Sequence, residues 1–225
     1  MSNVLYKQYD PDVLKKLQMV QTEMLKDVLE VCDKYDLPCF LIYGTAIGAV
    51  RHKGFIPWDD DIDVGMIRKD YDKLLSVFTK ELGEHYELLT PEIDSRYACT
   101  VTHVQRKNTV FITEMTKDLK CNCRIFMDIF PFDNVPDRGT RSYCQCVRLM
   151  QKLYQKNLEA NGFYALEATR KKGIYNYLNK IVVWIAGKFN KEKLVERYVG
   201  FCKKYKNQEC RYIQDLTWGT KAVPR

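Results

Sequence analysis

Residues 57–66 read PWDDDIDVGM and place Asp59, Asp60, Asp61 and Asp63 within five positions. Four carboxylates this close repel one another unless water, a basic neighbour or a cation offsets their charge. Most charge runs are solvated loops, but this one leads into strand-like alternation. Side chains on a strand alternate faces, so Asp61 and Asp63 point the same way while Ile62 and Val64 point into the core. Two carboxylates on one face can share one or two divalent cations through hard oxygen ligands. Mg²⁺, or Mn²⁺ in its place, suits a site where phosphates complete the shell. Asp59 has the parity of the pair, although Pro57 and the loop leave its direction open, and Asp60 faces elsewhere.

Upstream, LIYGTAIG puts Gly44 and Thr45 where a buried strand ends and a short helix begins. Backbone N–H groups at a helix start, together with the Thr45 hydroxyl, suit a phosphate. Standing alone, Thr45 would be only a helix cap and Gly44 only a turn glycine. Arg51 and Lys53 lie between this turn and the acidic run; they either neutralise phosphate or balance the local acids. His52 reads as a surface loop histidine. A third carboxylate comes from RIFMDIFPFDNVP, where Asp128 sits inside an apolar strand. An ionised aspartate there is expensive without a cation or donor, so Asp128 is expected as third ligand or general base. Asp133, after Pro131, reads as a turn or capping residue. A phosphate turn beside an Asp-x-Asp strand is the machinery of metal-assisted phosphoryl or nucleotidyl transfer.

The elements that must position these residues follow from periodicity. Residues 12–35 carry Val13, Leu14, Leu17, Met24, Val28 and Cys32 at helical spacing. A buried strand is expected at 39–43, one or two helical turns over TAIGAVR, a strand at 61–66 and a helix at 68–82. Further strands are expected at 86–89, 98–105, 109–114 and 123–131. Long helices run from about 138 to 206, broken at Gly162, Gly173 and Gly187. The order predicts an α+β fold, with a catalytic core over 1–136 and a basic helical lobe over 137–225.

The 225 residues and 46% hydrophobic content allow a sizeable core. The longest apolar run, IVVWIAG, is far short of the ~20 residues of a membrane span. The N-terminus lacks the basic and apolar regions of a signal peptide. Nine cysteines without an export signal fit reduced cytoplasmic thiols better than a disulfide framework. CNC and CQC are too closely spaced for a usual zinc site, so these cysteines read as buried small hydrophobes. The net charge is +7, with Lys and Arg dense over 168–206. That stretch is either a solvated helical face or, through IYNYLNKIVVWIAGKF, a contact for an anionic membrane.

The segment YGTAIGAVRHKGFIPWDDDIDVGMIRKDYDKL resembles the signature of the LicD family, which also includes the fukutin-related proteins. DIFPFD resembles that family's second block. The resemblance covers residues 25–135 and implies a DNA polymerase β-like nucleotidyltransferase core of mixed sheet and flanking helices. It implies transfer of phosphocholine from CDP-choline to a cell-surface glycan precursor of teichoic acid or lipopolysaccharide type, releasing CMP. It further implies that Gly44 and Thr45 hold donor phosphates, that Asp61 and Asp63 bind Mg²⁺, that Asp59 assists, and that Asp128 completes the set. The acceptor would be lipid-linked, the protein cytoplasmic or peripheral on the inner membrane face, and nucleic acid no partner. Choline has no N–H to donate, so aromatic faces are its expected partners, with Trp58 either one wall or simple packing. Family chains generally continue past a Trp-Gly into an aromatic and acidic segment, whereas this sequence ends at DLTWGTKAVPR. A truncated chain or a shorter acceptor lobe is therefore expected. Rival functions are transfer of another alditol phosphate such as ribitol phosphate, a nucleotidyltransferase acting on RNA or an antibiotic, and an inactive scaffold. The long RHKGFIPWDDDID connection argues against the second.

Overall fold

The computed structural model describes residues 9–97, 99–112, 121, 123–136, 140–162, 174–218 and 221–225. Helix α1 (Pro11–Lys34) starts at Asp10, whose carboxylate accepts from the N–H groups of Asp12 and Val13. These donors have no partner inside a helix, so the cap stabilises the first turn. Its buried stripe is Leu14, Leu17, Gln21, Met24, Val28, Val31 and Cys32, at helical spacing. Val13, expected in that stripe, faces outward instead.

The chain continues through β1 (Phe40–Leu41), α2 (Tyr43–His52), β2 (Asp63–Ile67), α3 (Arg68–Leu82), β3 (Tyr86–Leu89) and β4 (Thr102–Arg106). It then forms β5 (Phe126–Val135), α4 (Thr140–Ala160), α5 (Ile174–Ala186), α6 (Lys191–Cys202) and a 3₁₀ turn at Lys203–Tyr205. Strands β6 (Tyr212–Asp215) and β7 (Val223–Pro224) close the order. The result is a mixed α+β fold around one seven-stranded sheet.

Strand β5 organises the sheet. On one edge it runs parallel to β2, and on the other it meets β4 first and β6 afterwards, both antiparallel. Pro131 lies where the partner changes: β4 pairs as far as Ile129 and β6 begins at Phe132. A proline lacks the ladder N–H, and at this gap neither neighbour requires one. The core packs α1 and α3 against this sheet through Met24, Val28, Tyr71, Leu74 and Phe78 on the helices and Val64, Val104, Met127 and Ile129 on the strands.

Several expectations shift. The strand expected at 39–43 shrinks to two exposed residues on the sheet edge, because α2 begins at Tyr43. Phe40 lies over Gly65 and packs edge-on to Phe132, with ring centroids 5.2 Å apart. No strand forms over 109–112, where Phe111 N–H bonds singly to the Cys123 carbonyl; 113 and 114 lie outside the described residues. Strand β5 runs four residues further than expected, since its second half finds a partner in β6. Asp133 is therefore no turn residue: it is buried in β5 and accepts two hydrogen bonds from Arg68. The helices break at Gly162, with φ of 69°, and at Gly187; Gly173 lies outside the described residues. The nine cysteines are free thiols, and Cys144 donates to Gln214.

Candidate active site

The parallel register of β2 and β5 pairs Asp63 with Asp128 directly. Asp61, just before β2, joins them: one carboxylate oxygen from each of Asp61, Asp63 and Asp128 lies within 4.8 Å of the others. The flanking residues explain why the chain holds them there. Ile62 and Val64 are buried as the alternation requires, and the Asp128 N–H donates to the Ile62 carbonyl at 2.8 Å. Thr45, at the start of α2, accepts the Asp63 N–H at 2.8 Å. Helix α1 secures the acidic loop from below, with Gln18 donating to the Asp59 carbonyl and buried Gln21 donating to the carbonyls of Asp60 and Phe126.

Burial and mutual repulsion hold these carboxyls toward their neutral form. Burial raises Asp61 to about 6, with the charges of Asp59 and Asp60 adding to it. Burial raises Asp63 to about 7, with further contributions from Asp61, Asp59 and Asp215. Asp128 lies well above the carboxylate range, first from burial and then from Asp63 and Asp61. Its Oδ1 is buried without a hydrogen-bond partner among the described residues. His103, opposite Asp128 on β4, brings Nε2 to 3.1 Å from that oxygen, outside hydrogen-bond geometry. Burial lowers the imidazole to about 3, so the contact is between a neutral ring and a carboxyl and is no ion pair. The ring is held flat on Phe126, with centroids 4.0 Å apart. Hard oxygens, close together and poorly compensated, are the donor set that Mg²⁺ or Mn²⁺ takes.

The other candidates are distributed around this cluster. Asp59 groups with Asp60 and Asp61 and not with Asp63 and Asp128. Its Oδ2 lies over Gly44, only 2.7 Å from where a side chain there would begin, so a larger residue at 44 would push the Asp59 carboxyl aside. That oxygen also lacks a hydrogen-bond partner among the described residues. Asp60 turns to Tyr9, whose hydroxyl donates to it at 2.7 Å. Arg51 and Lys53 fall at the far end of α2 from Thr45, about 10 Å along the axis at 1.5 Å per residue. Both are exposed there, and the structure does not bring them to the carboxylates. Trp58 is 71% exposed beside the loop. A cavity of about 430 Å³ lined by Glu87, Asp94, Arg96 and Lys191 contains none of these residues.

Sequence reasoning missed Gln18, Gln21, His103 and Asp215. The two glutamines share a helical face three residues apart, the one signal available. His103 and Asp215 reach the site through strand pairings distant in sequence.

Residues 36–161 match the family model of the LicD/FKTN/FKRP nucleotidyltransferase domain. The chain belongs to the LicD family. It is 33% identical over 202 residues to the lipopolysaccharide cholinephosphotransferase LicD of Haemophilus influenzae, covering 89% of this chain and 72% of that protein. Shorter similarities reach uncharacterised proteins of Rickettsia typhi, 36% identical over 86 residues, and Rickettsia prowazekii, 37% identical over 70. They cover 37% and 31% of this chain, and 27% and 26% of those proteins. No solved structure matches the chain.

Proposed function

We propose that this LicD-family protein transfers phosphocholine from CDP-choline to a hydroxyl of a cell-surface glycan precursor, of lipopolysaccharide or teichoic acid type, and releases CMP. The observation that carries the reading is the in-register pairing of Asp63 with Asp128, with Asp61 beside them. A DNA polymerase β-like nucleotidyltransferase core, followed by the helices α4 to α6, completes it; the helical lobe expected over 137–225 ends before β6, because β6 and β7 return to the sheet of the core.

In this reading Asp61, Asp63 and Asp128 would hold Mg²⁺ or Mn²⁺, with Asp59 assisting. When bound, the cation would neutralise the donor diphosphate and the charge that develops on the departing CMP. Gly44, Thr45 and the N–H groups at the start of α2 bind donor phosphates. A phosphate over Gly44 requires Asp59 to leave that position, and the unpartnered Asp59 Oδ2 suits a group that changes partner on loading. Arg51 and Lys53 contribute positive charge from the far end of α2, and Trp58 contributes an aromatic face. An acceptor hydroxyl attacks the phosphorus that carries choline, the bond from that phosphorus to CMP breaks, and the hydroxyl proton leaves. Asp128, if not engaged as a ligand, would receive that proton as general base, a role that needs the ionised form which a bound cation would favour.

A lipid-linked acceptor would place the protein on the cytoplasmic face of a membrane. Among the described residues no helix is long and apolar enough to cross one. Helix α5 exposes Tyr177, Leu178, Ile181, Val182, Trp184 and Ile185 and has Lys180 as its single charged residue. Aliphatics, Tyr and Trp with flanking lysines suit an in-plane helix at an anionic surface. Sedimentation with phosphatidylglycerol vesicles and not with phosphatidylcholine vesicles is expected; equal recovery in both supernatants at low salt would sink this part.

The activity is tested by CMP release from CDP-choline, CDP-ribitol and CDP-glycerol, with Mg²⁺ or with EDTA. The expected result is release from CDP-choline that EDTA abolishes. Preference for another donor reassigns the transferred alcohol, and release that survives EDTA refutes the metal-dependent mechanism.

A further inference from the structure

Resting on the phosphocholine reading above, we propose that Tyr43 and Trp218, both anchored on Asp215, form the aromatic pocket that receives the donor's quaternary ammonium head. Asp215 ends β6 and is fully buried. Its Oδ2 accepts the Tyr43 hydroxyl and, at 3.3 Å, the Trp218 N–H, while Oδ1 accepts the Thr217 N–H at 2.8 Å. The Tyr43 hydroxyl and the backbone N–H of Trp218, 175 positions apart, thus converge on one carboxylate oxygen.

Tyr43 is held under constraint. It opens α2 with φ of 47°, a left-handed value that a bulky side chain rarely adopts. The bond to Asp215 and the edge-on contact with Phe130, with centroids 5.3 Å apart, fix its ring. Trp218 is the converse, because its backbone is anchored while the residue stays 69% exposed. The exposed indole of Trp218 is accessible to a ligand. Trp58, assigned to the same headgroup above, has no comparable anchor among the described residues.

The place and the chemistry agree. Thr45, two residues past Tyr43, accepts the Asp63 N–H, so the pair lies beside the carboxylates that face the diphosphate. The Asp215 charge also reaches Asp63. A quaternary ammonium donates no hydrogen bond and is recognised by aromatic faces and nearby negative charge. Asp215 is fully buried behind its three protein donors, so a primary ammonium gains no hydrogen bond to its oxygens. A phenol donating to a carboxylate also has a more electron-rich ring, which strengthens its hold on a cation.

The test compares kcat/KM for CDP-choline with that for CDP-ethanolamine, donors of equal charge. The choline preference is expected to fall about tenfold in Trp218→Ala, the loss of one cation–π face, and to return in Trp218→Tyr. Tyr43→Leu should lower it similarly, with circular dichroism checking its fold; Trp218→Ala changes an exposed residue and carries the test if Tyr43→Leu unfolds. An unchanged preference in Trp218→Ala, or a loss confined to Trp58→Ala, overturns the pocket alone. A wild-type protein that releases no CMP from CDP-choline overturns the phosphocholine reading and the pocket with it.

Discussion

The strand pair β2–β5 holds buried charge at both ends, and the two ends are built differently. At one, Arg68 closes two hydrogen bonds on Asp133, at 2.6 and 2.8 Å, both side chains buried. At the other, Asp63 and Asp128 face each other with Asp61 beside them, a neutral His103 is the near neighbour, and Asp128 Oδ1 has no hydrogen-bond partner among the described residues. The spacing is five residues along both segments, so the local sheet is shared and only the compensation differs. A charge paired inside the protein serves the fold, because removing either partner leaves an expensive buried ion. Charge left unpaired weakens the fold by itself, so its compensation must come from outside.

The largest effect should come from breaking the paired end. Arg68→Ala is expected to cost about 3–5 kcal/mol, because Asp133 is then buried without a partner; urea unfolding measures it. The unpaired end should respond in the opposite sense. Asp63→Ala should leave stability unchanged or raise it, yet reduce CMP release by about 10²–10³-fold, the scale of one lost electrostatic group. A destabilisation as large as that of Arg68→Ala would mean that Asp63 is structural.

Cation addition sharpens the contrast. At about 100 times its Kd, Mg²⁺ should stabilise the wild type by about 2.7 kcal/mol, stabilise an Asp133→Asn variant equally and leave Asp63→Ala unmoved in thermal melts.

The smallest effect is in pH. Asp61 and Asp63 titrate near 6 and 7 in the fold against an ordinary value near 4. The native state therefore binds more protons than the unfolded chain between about pH 4 and 7, and stability without metal should rise as pH falls through that window. Cation affinity should fall over the same range, since the ligands must lose protons to bind. Melting at pH 5 and 8, with and without Mg²⁺, should show the two trends crossing; parallel trends would contradict the link.

How much of this was legible beforehand depends on the range of each interaction. The Asp61–Asp63 pair and the helices α1 and α3 followed from spacing alone, and Asp128 from a charge inside an apolar run. The pairing of Asp63 with Asp128 depends on strand register across 65 residues, which no local pattern carries. Asp133 looked like a turn residue because it follows Pro131, and only the β4-to-β6 handover shows how a proline fits mid-strand. Asp215 was hidden for a similar reason: β6 is four residues long and matters because it ends at Tyr43. Arg51 and Lys53 were near the acidic run in sequence, but the length of α2 carries them away from it.

The central claim is that Asp61, Asp63 and Asp128 form a cation site, and Mn²⁺ titration followed by electron paramagnetic resonance tests it without any substrate. The wild type should bind Mn²⁺ saturably, Asp61→Ala, Asp63→Ala and Asp128→Ala should each weaken binding by at least about tenfold, and Asp133→Asn should bind as the wild type does. Undiminished Mn²⁺ binding in the three alanine variants would contradict the account.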